Sequence, residues 1–210
     1  MGENDPLLNE IIATTMKMAF TSSALALLIG VPFGILIGIS KFPGKKIVIT
    51  VLHACMALPS VVVGLTLYIL FSGTGAIYSV RLMVVAQVVL IAPVTAGMAE
   101  SYVTALSPWL TETAKGLRLK KPKVLFLAVN ESKYQFIVIY LMAFARSISE
   151  VGAVQIVGGN ILHETRVMTT AIALNYNMGQ FRYAVALGII LLLIALGVNT
   201  VATIIQHKLK

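Results

Sequence analysis

Four residues at helical spacing stand out within an otherwise apolar run near residue 150. They occupy positions i, i+3, i+4 and i+7 and are Arg146, Ser149, Glu150 and Ala153. A continuous helix would place them on one face. Ionisable side chains in an apolar run are costly and usually face a bundle interior or a water-filled cavity. Two interpretations stay open: Arg146 and Glu150 neutralise each other, or neighbouring residues, and fix helix packing, or this face lines a pore or gate.

Residue patterns for catalysis or metal binding are weak. Aspartate occurs once, at Asp5, and the single cysteine, Cys55, lies in an apolar run where a small packing role is expected. His53 and His207 have no partner at metal-ligand spacing. The sequence therefore predicts no catalytic residue and no metal site.

The segment Pro43-Gly44-Lys45-Lys46 matches a phosphate-binding loop only superficially. Ile39 occupies the position of the leading glycine, and Lys46 occupies the position that requires serine or threonine. We therefore expect no nucleotide or cofactor in this chain, and any ATP and Mg that drive it would be bound by another polypeptide.

The composition indicates a chain of membrane helices. Of the 210 residues, 58% are hydrophobic and 11% are charged, with a mean hydropathy of +0.92, whereas soluble domains contain about 25% charged residues. The net charge of +8 comes from basic clusters between apolar runs, not from a polar face interleaved with aromatics, which argues against nucleic acid as a partner. We predict a single transmembrane domain over residues 1–210.

Five apolar runs are long enough to cross a bilayer, at about 20 residues per crossing. They cover residues 11–39, 47–71, 82–99, 134–157 and 184–205. A shorter run, 168–178, should lie at a surface or dip into the membrane. The predicted fold class is an all-α membrane protein with about five transmembrane helices.

Basic residues divide unequally between the two sides of this bundle, and cytoplasmic loops carry the excess. Clusters at 41–46, 115–133 and 208–210 fall on one side, whereas the other side has Arg81, Arg166 and Arg182 together with an acidic N-terminal tail. This split predicts an odd number of crossings, with the N-terminus outside and the C-terminus inside.

Small residues and prolines predict how the spans pack. Gly30, Gly34 and Gly38 are four residues apart, which lets another helix approach closely. Prolines at positions 32, 59 and 93 lie inside three of the spans, where each frees a backbone carbonyl and can kink the helix. Such kinks suit a moving pathway and are also common in static membrane helices.

The longest polar interval, residues 100–133, is too long for a simple turn. Ser107 is suited to cap a short helix with Pro108 in its first turn, and Gly116 would end that helix. A short helix across the mouth of a bundle suits docking to another protein. Anchoring to lipid headgroups explains the nearby lysines equally well, but not the capped helix.

One part of this interval resembles the cytoplasmic coupling motif of ABC importer permeases, in which Glu-Ala-Ala is followed by three residues and a glycine. The resembling residues are Glu112-Thr113-Ala114-Lys115-Gly116-Leu117. Arg118 occupies the glycine position of that motif, and Asn130-Glu131 replace a common Leu-Pro pair. The resemblance implies that this short helix fits a cleft of an ATPase subunit.

Other stretches resemble the oxyanion permeases of the molybdate and tungstate branch. They are Leu58–Leu65, Ala145–Ala153, Gly158–Asn160 and Thr165–Leu174, the last being closer to the tungstate type. The resemblance extends from about Thr14 to Val198. It implies a type I permease fold in a prokaryotic cell membrane that imports tungstate, or secondly molybdate, in an ATP-driven system.

The same resemblance implies partners. A second copy of the chain would complete a central path, and two ATP-binding subunits would dock on the cytoplasmic side. An extracytoplasmic oxyanion-binding protein would deliver the substrate. Closure of the ATPase pair would turn the path outward, and hydrolysis would return it.

An oxyanion on such a path needs hydrogen-bond donors that do not hold it tightly. The predicted path or gate residues are Arg146, Ser149, Glu150, Gly152, Asn160, Thr165, Arg166, Thr169 and Thr170. We interpret Arg146 as structural or gating, because a strong cationic cage would slow release. Arg166 and His163, near the outer mouth, would meet the substrate or the binding protein, or else are ordinary loop charges.

Two other classes of function are weighed against this one. An ion-coupled secondary transporter or channel would show internal repeats and broken helices at matching positions of two halves, and no convincing repeat is seen. For the other class, a membrane-embedded enzyme or assembly factor, a cluster of histidine, aspartate or glutamate at chemical spacing would be expected.

Overall fold

The computed structural model describes residues 6–118 and 121–208, and every regular element in those ranges is helical. The helices are α1 (Pro6–Ile39), α2 (Lys45–Met56), α3 (Ser60–Phe71), α4 (Val80–Gly116), α5 (Lys121–Ser149), α6 (Gly152–Gly158), α7 (Met168–Asn177) and α8 (Phe181–Lys208). Asp5 and parts of the predicted basic clusters at 115–133 and 208–210 lie outside the described residues.

Four helices, α1, α4, α5 and α8, are long and apolar enough to cross a membrane. Helices α2 and α3 pass the same test together, although they bend by 89° at the break between them. The prediction of an all-α chain is confirmed, with four candidate spans, or five if the bent pair is one span. Helix α7 has only 10 residues and packs against α8 and α1, in line with the prediction that this run does not span.

The predicted second span is not one helix, because the chain breaks at Ala57–Pro59. Pro59 is extended, with φ −65° and ψ 124°, and α3 starts directly after it. Proline has no N–H to continue a helix, and its ring disfavours helical geometry in the preceding residue. The prolines at 32 and 93 lie within continuous helices.

The predicted fourth span is also broken. Helix α5 begins at Lys121, well before the apolar run, and ends at Ser149, and α6 follows from Gly152. Glu150 and Ala153 therefore do not continue the face of α5 that carries Arg146. The prediction that these residues share one helix face is wrong.

The predicted helix start at Ser107 is wrong as well, since Ser107 and Pro108 lie inside α4. Residues 100–107 are already helical, so Pro108 removes one backbone N–H from a helix that simply continues. The predicted end at Gly116 is confirmed. The N–H groups of Leu117 and Arg118 donate back to the carbonyls of Thr113 and Lys115.

The most extensive helix contact is between α1 and α4. The predicted glycine stripe lies in this contact, where a Cβ on Gly34 would collide with the Ala96 carbonyl oxygen. The buried Thr95 hydroxyl donates across the interface to the Ala26 carbonyl oxygen at 2.9 Å. We call this contact, between residues 26–38 of α1 and 92–103 of α4, the frame.

Candidate functional site

The two helix breaks meet in space. Gly64 of α3 packs so closely on α6 that an added Cβ would lie 2.8 Å from the Cα of Ala153. Gly152 in turn packs on α3, where a Cβ would lie 2.8 Å from the Ser60 hydroxyl oxygen. These approaches are possible because neither glycine has a side chain. We call the two breaks and the first turns after them, residues 57–64 and 148–153, the joint.

Glu150 builds the second break. Its Oε1 atom accepts hydrogen bonds from the backbone N–H groups of Val151 at 3.1 Å and Gly152 at 3.0 Å. The first N–H groups of a helix lack partners within the helix, and a side-chain acceptor satisfies them. The half-buried carboxylate therefore caps α6.

Arg146 is not the partner of Glu150. It is exposed on α5, and in the described part of the chain no carboxylate lies within ion-pair distance of it. The interpretation in which Arg146 and Glu150 neutralise each other is therefore not supported by this conformation. A gating role for Arg146 stays a prediction.

Backbone carbonyls freed by the same break receive donors from two other helices. The Thr169 hydroxyl of α7 donates to the Glu150 carbonyl at 2.9 Å. The Gln87 side chain of α4 donates through Nε2 to the Ser147 carbonyl at 3.2 Å. The hydroxyl of Ser147 also lies 2.9 Å from the hydroxyl of Ser22 on α1. The break is thus a hydrogen-bonded structure in which three other helices, α1, α4 and α7, support the end of α5 and the start of α6.

The remaining predicted path hydroxyls are also bonded to backbone. Thr165 donates to the Gly158 carbonyl and accepts from the Ile161 N–H, and Thr170 donates to the Val167 carbonyl. Ser149 is exposed and donates to a carbonyl one turn earlier in α5. These side chains shape the loops around α6 and α7, and their contact with a substrate stays a prediction.

Ionisable side chains of the loop between α6 and α7 make hydrogen bonds within the loop and to α1. The Arg166 guanidinium donates to the side-chain and main-chain oxygens of Asn160 at 3.2 and 3.3 Å. The Nδ1 atom of His163 lies 2.7 Å from the Glu10 carboxylate at the start of α1. Asn160 and His163 both have left-handed φ values, of 54° and 65°. This loop is therefore held to α1 and folded on itself.

A tyrosine pair ties the α3–α4 connection to the end of α6. The Tyr78 N–H donates to the Val157 carbonyl at 2.8 Å, and its ring covers Gly159. The hydrogen bond with the Tyr68 hydroxyl raises the pKa of Tyr78 above its ordinary value. Tyr78 is therefore a neutral structural contact at physiological pH.

The residues of the coupling motif form the end of α4. Glu112, Gly116 and Leu117 are exposed, and Thr113 and Ala114 are half-buried. Directly after the helix, Arg118 adopts a left-handed conformation with φ 47°. Glycine adopts such a conformation without strain. Arg118 occupies the glycine position of the motif, and the backbone of this chain is left-handed at that residue, a conformation that favours glycine.

Residues 30–210 match the family described as binding-protein-dependent transport system inner membrane component. The chain belongs to this family. With several apolar spans, it is a multi-pass protein of the cell membrane.

Relatives of this permease carry names that refer to the transport of tungstate or of an anion. The tungstate uptake system permease protein TupB of Peptoclostridium acidaminophilum is 36% identical, over 97% of this chain and 92% of its own length. TupB of Campylobacter jejuni is 32% identical, over 81% of this chain and 72% of its own. A probable anion ABC transporter permease protein of Haloferax volcanii is 34% identical, over 90% and 86%.

A solved structure shares the fold of the permease. The MetNI methionine ABC transporter, in an inward-facing conformation, aligns with a TM-score of 0.76 over 100% of both chains. The two sequences are 16% identical, so this likeness concerns the fold alone.

Sequence reasoning missed several buried polar residues of the permease, among them Gln87 and Glu100. Gln87 is fully buried in the second turn of α4, and Glu100 is 3% exposed with the Thr104 hydroxyl donating to it at 2.8 Å. A signal for Gln87 was available, because it is the one amide in the run 82–99 and polar residues at membrane depth tend to be functional.

A groove of about 670 Å³ opens beside the first break and is lined by His53, Met56, Tyr102 and Gln135, among others. His53 thus lies next to the joint, although no pattern in the sequence assigned it a role. Within residues 6–118 and 121–208 no group of three or more histidine, cysteine, aspartate or glutamate side chains is arranged to hold a metal ion.

Proposed function

We propose that this chain is the permease subunit of an ATP-driven importer of an oxyanion, with tungstate as the first candidate substrate and molybdate as the second. The observation that carries the proposal is the 36% identity over nearly the whole chain to a tungstate uptake permease. The family membership and the shared importer fold support the same assignment.

The proposed orientation has the N-terminus outside and the C-terminus in the cytosol. If the bent α2–α3 pair crosses as one span, the basic clusters at 41–46, 115–133 and 208–210 all lie on one side. If the pair were a re-entrant loop, the α4–α5 connection would move to the opposite side and carry its lysines outside. The positive-inside rule favours the crossing pair.

In this orientation the end of α4 is a cytosolic docking surface for an ATPase subunit. Its exposed apolar side chains include Trp109 and Leu117, close in sequence to the exposed Lys115 and Arg118, and Phe126 at the start of α5 is also exposed. Exposed aromatic groups beside basic ones suit a protein partner, whereas lipid anchoring needs the basic groups alone. Glu112 and its neighbours would then transmit ATPase closure along α4, which is continuous as far as Val80.

The permease itself would hydrolyse nothing. Two ATP-binding subunits would bind ATP and Mg, a second copy of this chain would complete the path, and an extracytoplasmic protein would deliver the oxyanion. Arg146, exposed on α5, and the residues around α6 would line or gate that path.

An ion-coupled secondary transporter is the second candidate, and one observation favours it. Both broken spans of this chain resemble the discontinuous helices that secondary transporters use at their binding sites. The two candidates differ in the need for ATP.

The test is to reconstitute the chain in vesicles with candidate ATPase subunits and the binding protein. We expect ATP hydrolysis that rises with tungstate-loaded binding protein, rises less with molybdate, and accompanies uptake. A matched control uses an ATPase variant that binds but does not hydrolyse ATP, and it should abolish uptake. Uptake that persists in that control would support the ion-coupled candidate, and a complete complex that no oxyanion stimulates would exclude the proposed substrate class.

A further inference from the structure

Gln87 is a polar side chain in an otherwise apolar environment. It is fully buried in the second turn of α4, a helix that packs against α1 and α5. Its Nε2 donates to the Ser147 carbonyl, while its Oε1 atom has no hydrogen-bond partner in the described part of the structure. Burying an amide with an unpaired acceptor costs free energy, so an apolar residue of similar size would pack more favourably. Packing alone therefore does not explain a glutamine here.

The Ser147 carbonyl needs this donor because of the break. In a continuous helix it would accept from the N–H of Val151, four residues on. That N–H donates instead to the Glu150 side chain, and the Glu150 N–H reaches the Ser147 carbonyl only at 3.4 Å. Gln87 thus supplies the hydrogen bond that α5 loses by ending at Ser149.

Different helices hold the backbone on the two sides of the break. Before the break, Ser147 is held by Gln87 of α4 and by the Ser22 hydroxyl of α1. After the break, the Glu150 carbonyl is held by Thr169 of α7. The end of α5 is therefore fixed to the two helices of the frame, whereas the start of α6 is fixed to a short helix outside it.

We propose that Gln87 is a positioning residue for transport: by holding the Ser147 carbonyl it sets where α5 stops, and it connects movement of α4 to the joint. This role rests on the proposed function, since the other end of α4 carries the coupling residues. Gln87 acts through the backbone of Ser147 and does not touch the oxyanion.

The primary test replaces the amide by an apolar chain of similar length, Gln87→Met. In the reconstituted complex we expect normal assembly but about fivefold more ATP hydrolysed per oxyanion imported, the effect of losing one ordinary hydrogen bond. A residue that only stabilises the fold would lower the amount of assembled complex and leave this ratio unchanged.

Two further variants make the test specific. Thr95→Val removes another buried hydrogen bond from α4, the one to Ala26 of α1, without touching the break, and should leave the ratio at its parental value. Gln87→Glu keeps a donor of the same length only while its carboxyl is protonated. It should therefore restore the parental ratio at low pH and lose it as the pH rises.

A second readout does not depend on transport. Hydrogen exchange of the backbone amides at residues 148–152 in the solubilised chain should be faster in Gln87→Met and unchanged in Thr95→Val. A parental exchange pattern and a parental ATP ratio in Gln87→Met would overturn the inference, as would an equal rise of the ratio in Thr95→Val. If the parental complex shows no oxyanion-stimulated hydrolysis, the proposed function fails, and exchange at 148–152 alone decides whether Gln87 sets the end of α5.

Discussion

The frame and the joint are both built on glycines, but different forces hold them together. In the frame, two continuous helices fit by shape, and one side-chain hydrogen bond, from Thr95 to Ala26, crosses the contact. In the joint, two helices begin at breaks, and Glu150, Thr169 and Gln87 must satisfy the freed backbone groups. A fit by shape has no second arrangement, whereas a few exchangeable hydrogen bonds can be rearranged at modest cost. The difference assigns rigidity to the frame and movement to the joint.

The largest effect should come from filling the frame. Gly34→Val places a side chain against the Ala96 carbonyl and the Ala99 Cβ, so α1 and α4 must separate. We expect a loss of at least about 3 kcal/mol in the free energy of unfolding, as for severe overpacking, measured by denaturant titration in detergent. Gly197→Val on α8, where an added Cβ meets nothing within 4 Å, is the matched control. If both variants lose the same stability, the frame is not set by its glycines.

Removing the cap of α6 should have the next largest effect. Glu150→Ala leaves two N–H groups without their acceptor, with an expected loss of about 2 kcal/mol and of most oxyanion-stimulated ATP hydrolysis. Glu150→Gln keeps a carbonyl oxygen at the same place and should retain most of both properties. If the glutamine variant behaves like the alanine variant, the charge of Glu150 matters and its role as a cap is refuted.

The α7 side of the joint should be weaker than the cap. Thr169→Val removes the donor to the Glu150 carbonyl and should cost about 1 kcal/mol, the value of one hydrogen bond. The control is Thr66→Val, which removes a hydroxyl bond inside α3 at an exposed position and should change stability by less than about 0.5 kcal/mol. If the two variants lose the same free energy of unfolding, the hydrogen bond from Thr169 does not stabilise the joint.

The smallest effect should be a gain in stability from a substitution just after the end of α4. Arg118→Gly relieves a left-handed conformation and should stabilise the chain by about 1 kcal/mol. Lys115→Gly, the same kind of change in the last helical turn, should destabilise by a similar amount, about 1 kcal/mol. Thermal unfolding in detergent would show a gain in stability for Arg118→Gly and a loss for Lys115→Gly. A loss of stability in Arg118→Gly would contradict the left-handed backbone observed at this position.

Hydropathy predicted the frame better than the joint. Apolar runs and a four-residue glycine spacing are local features, and they predicted the first span and the close approach of another helix to its glycines, although not that this helix is α4. The breaks did not follow, because residues 148–153 are as compatible with a helix as their neighbours. The donors that make the second break possible come from Gln87 and Thr169, which are far away in the sequence.

The coupling segment shows the same limit in another form. A serine–proline pair indicates a helix start only if the preceding residues are not helical, and here α4 already extends through Ser107. In contrast, the end at Gly116 depended on local residues and was predicted correctly. Nothing local indicated that Arg118 would take the conformation for which the motif uses glycine.

The most direct test of this account is a pair of distances measured by pulsed electron spin resonance in the assembled importer, with one labelled chain per complex. One label pair lies in the frame, at Leu28 of α1 and Ser101 of α4, and the other spans the second break, at Met142 of α5 and Gln155 of α6; all four side chains are exposed. Between the nucleotide-free and ATP-trapped states, the pair across the break should shift by about 2 Å or more, while the other pair stays unchanged. An unchanged distance across the break, or an equal shift in both pairs, would contradict the account.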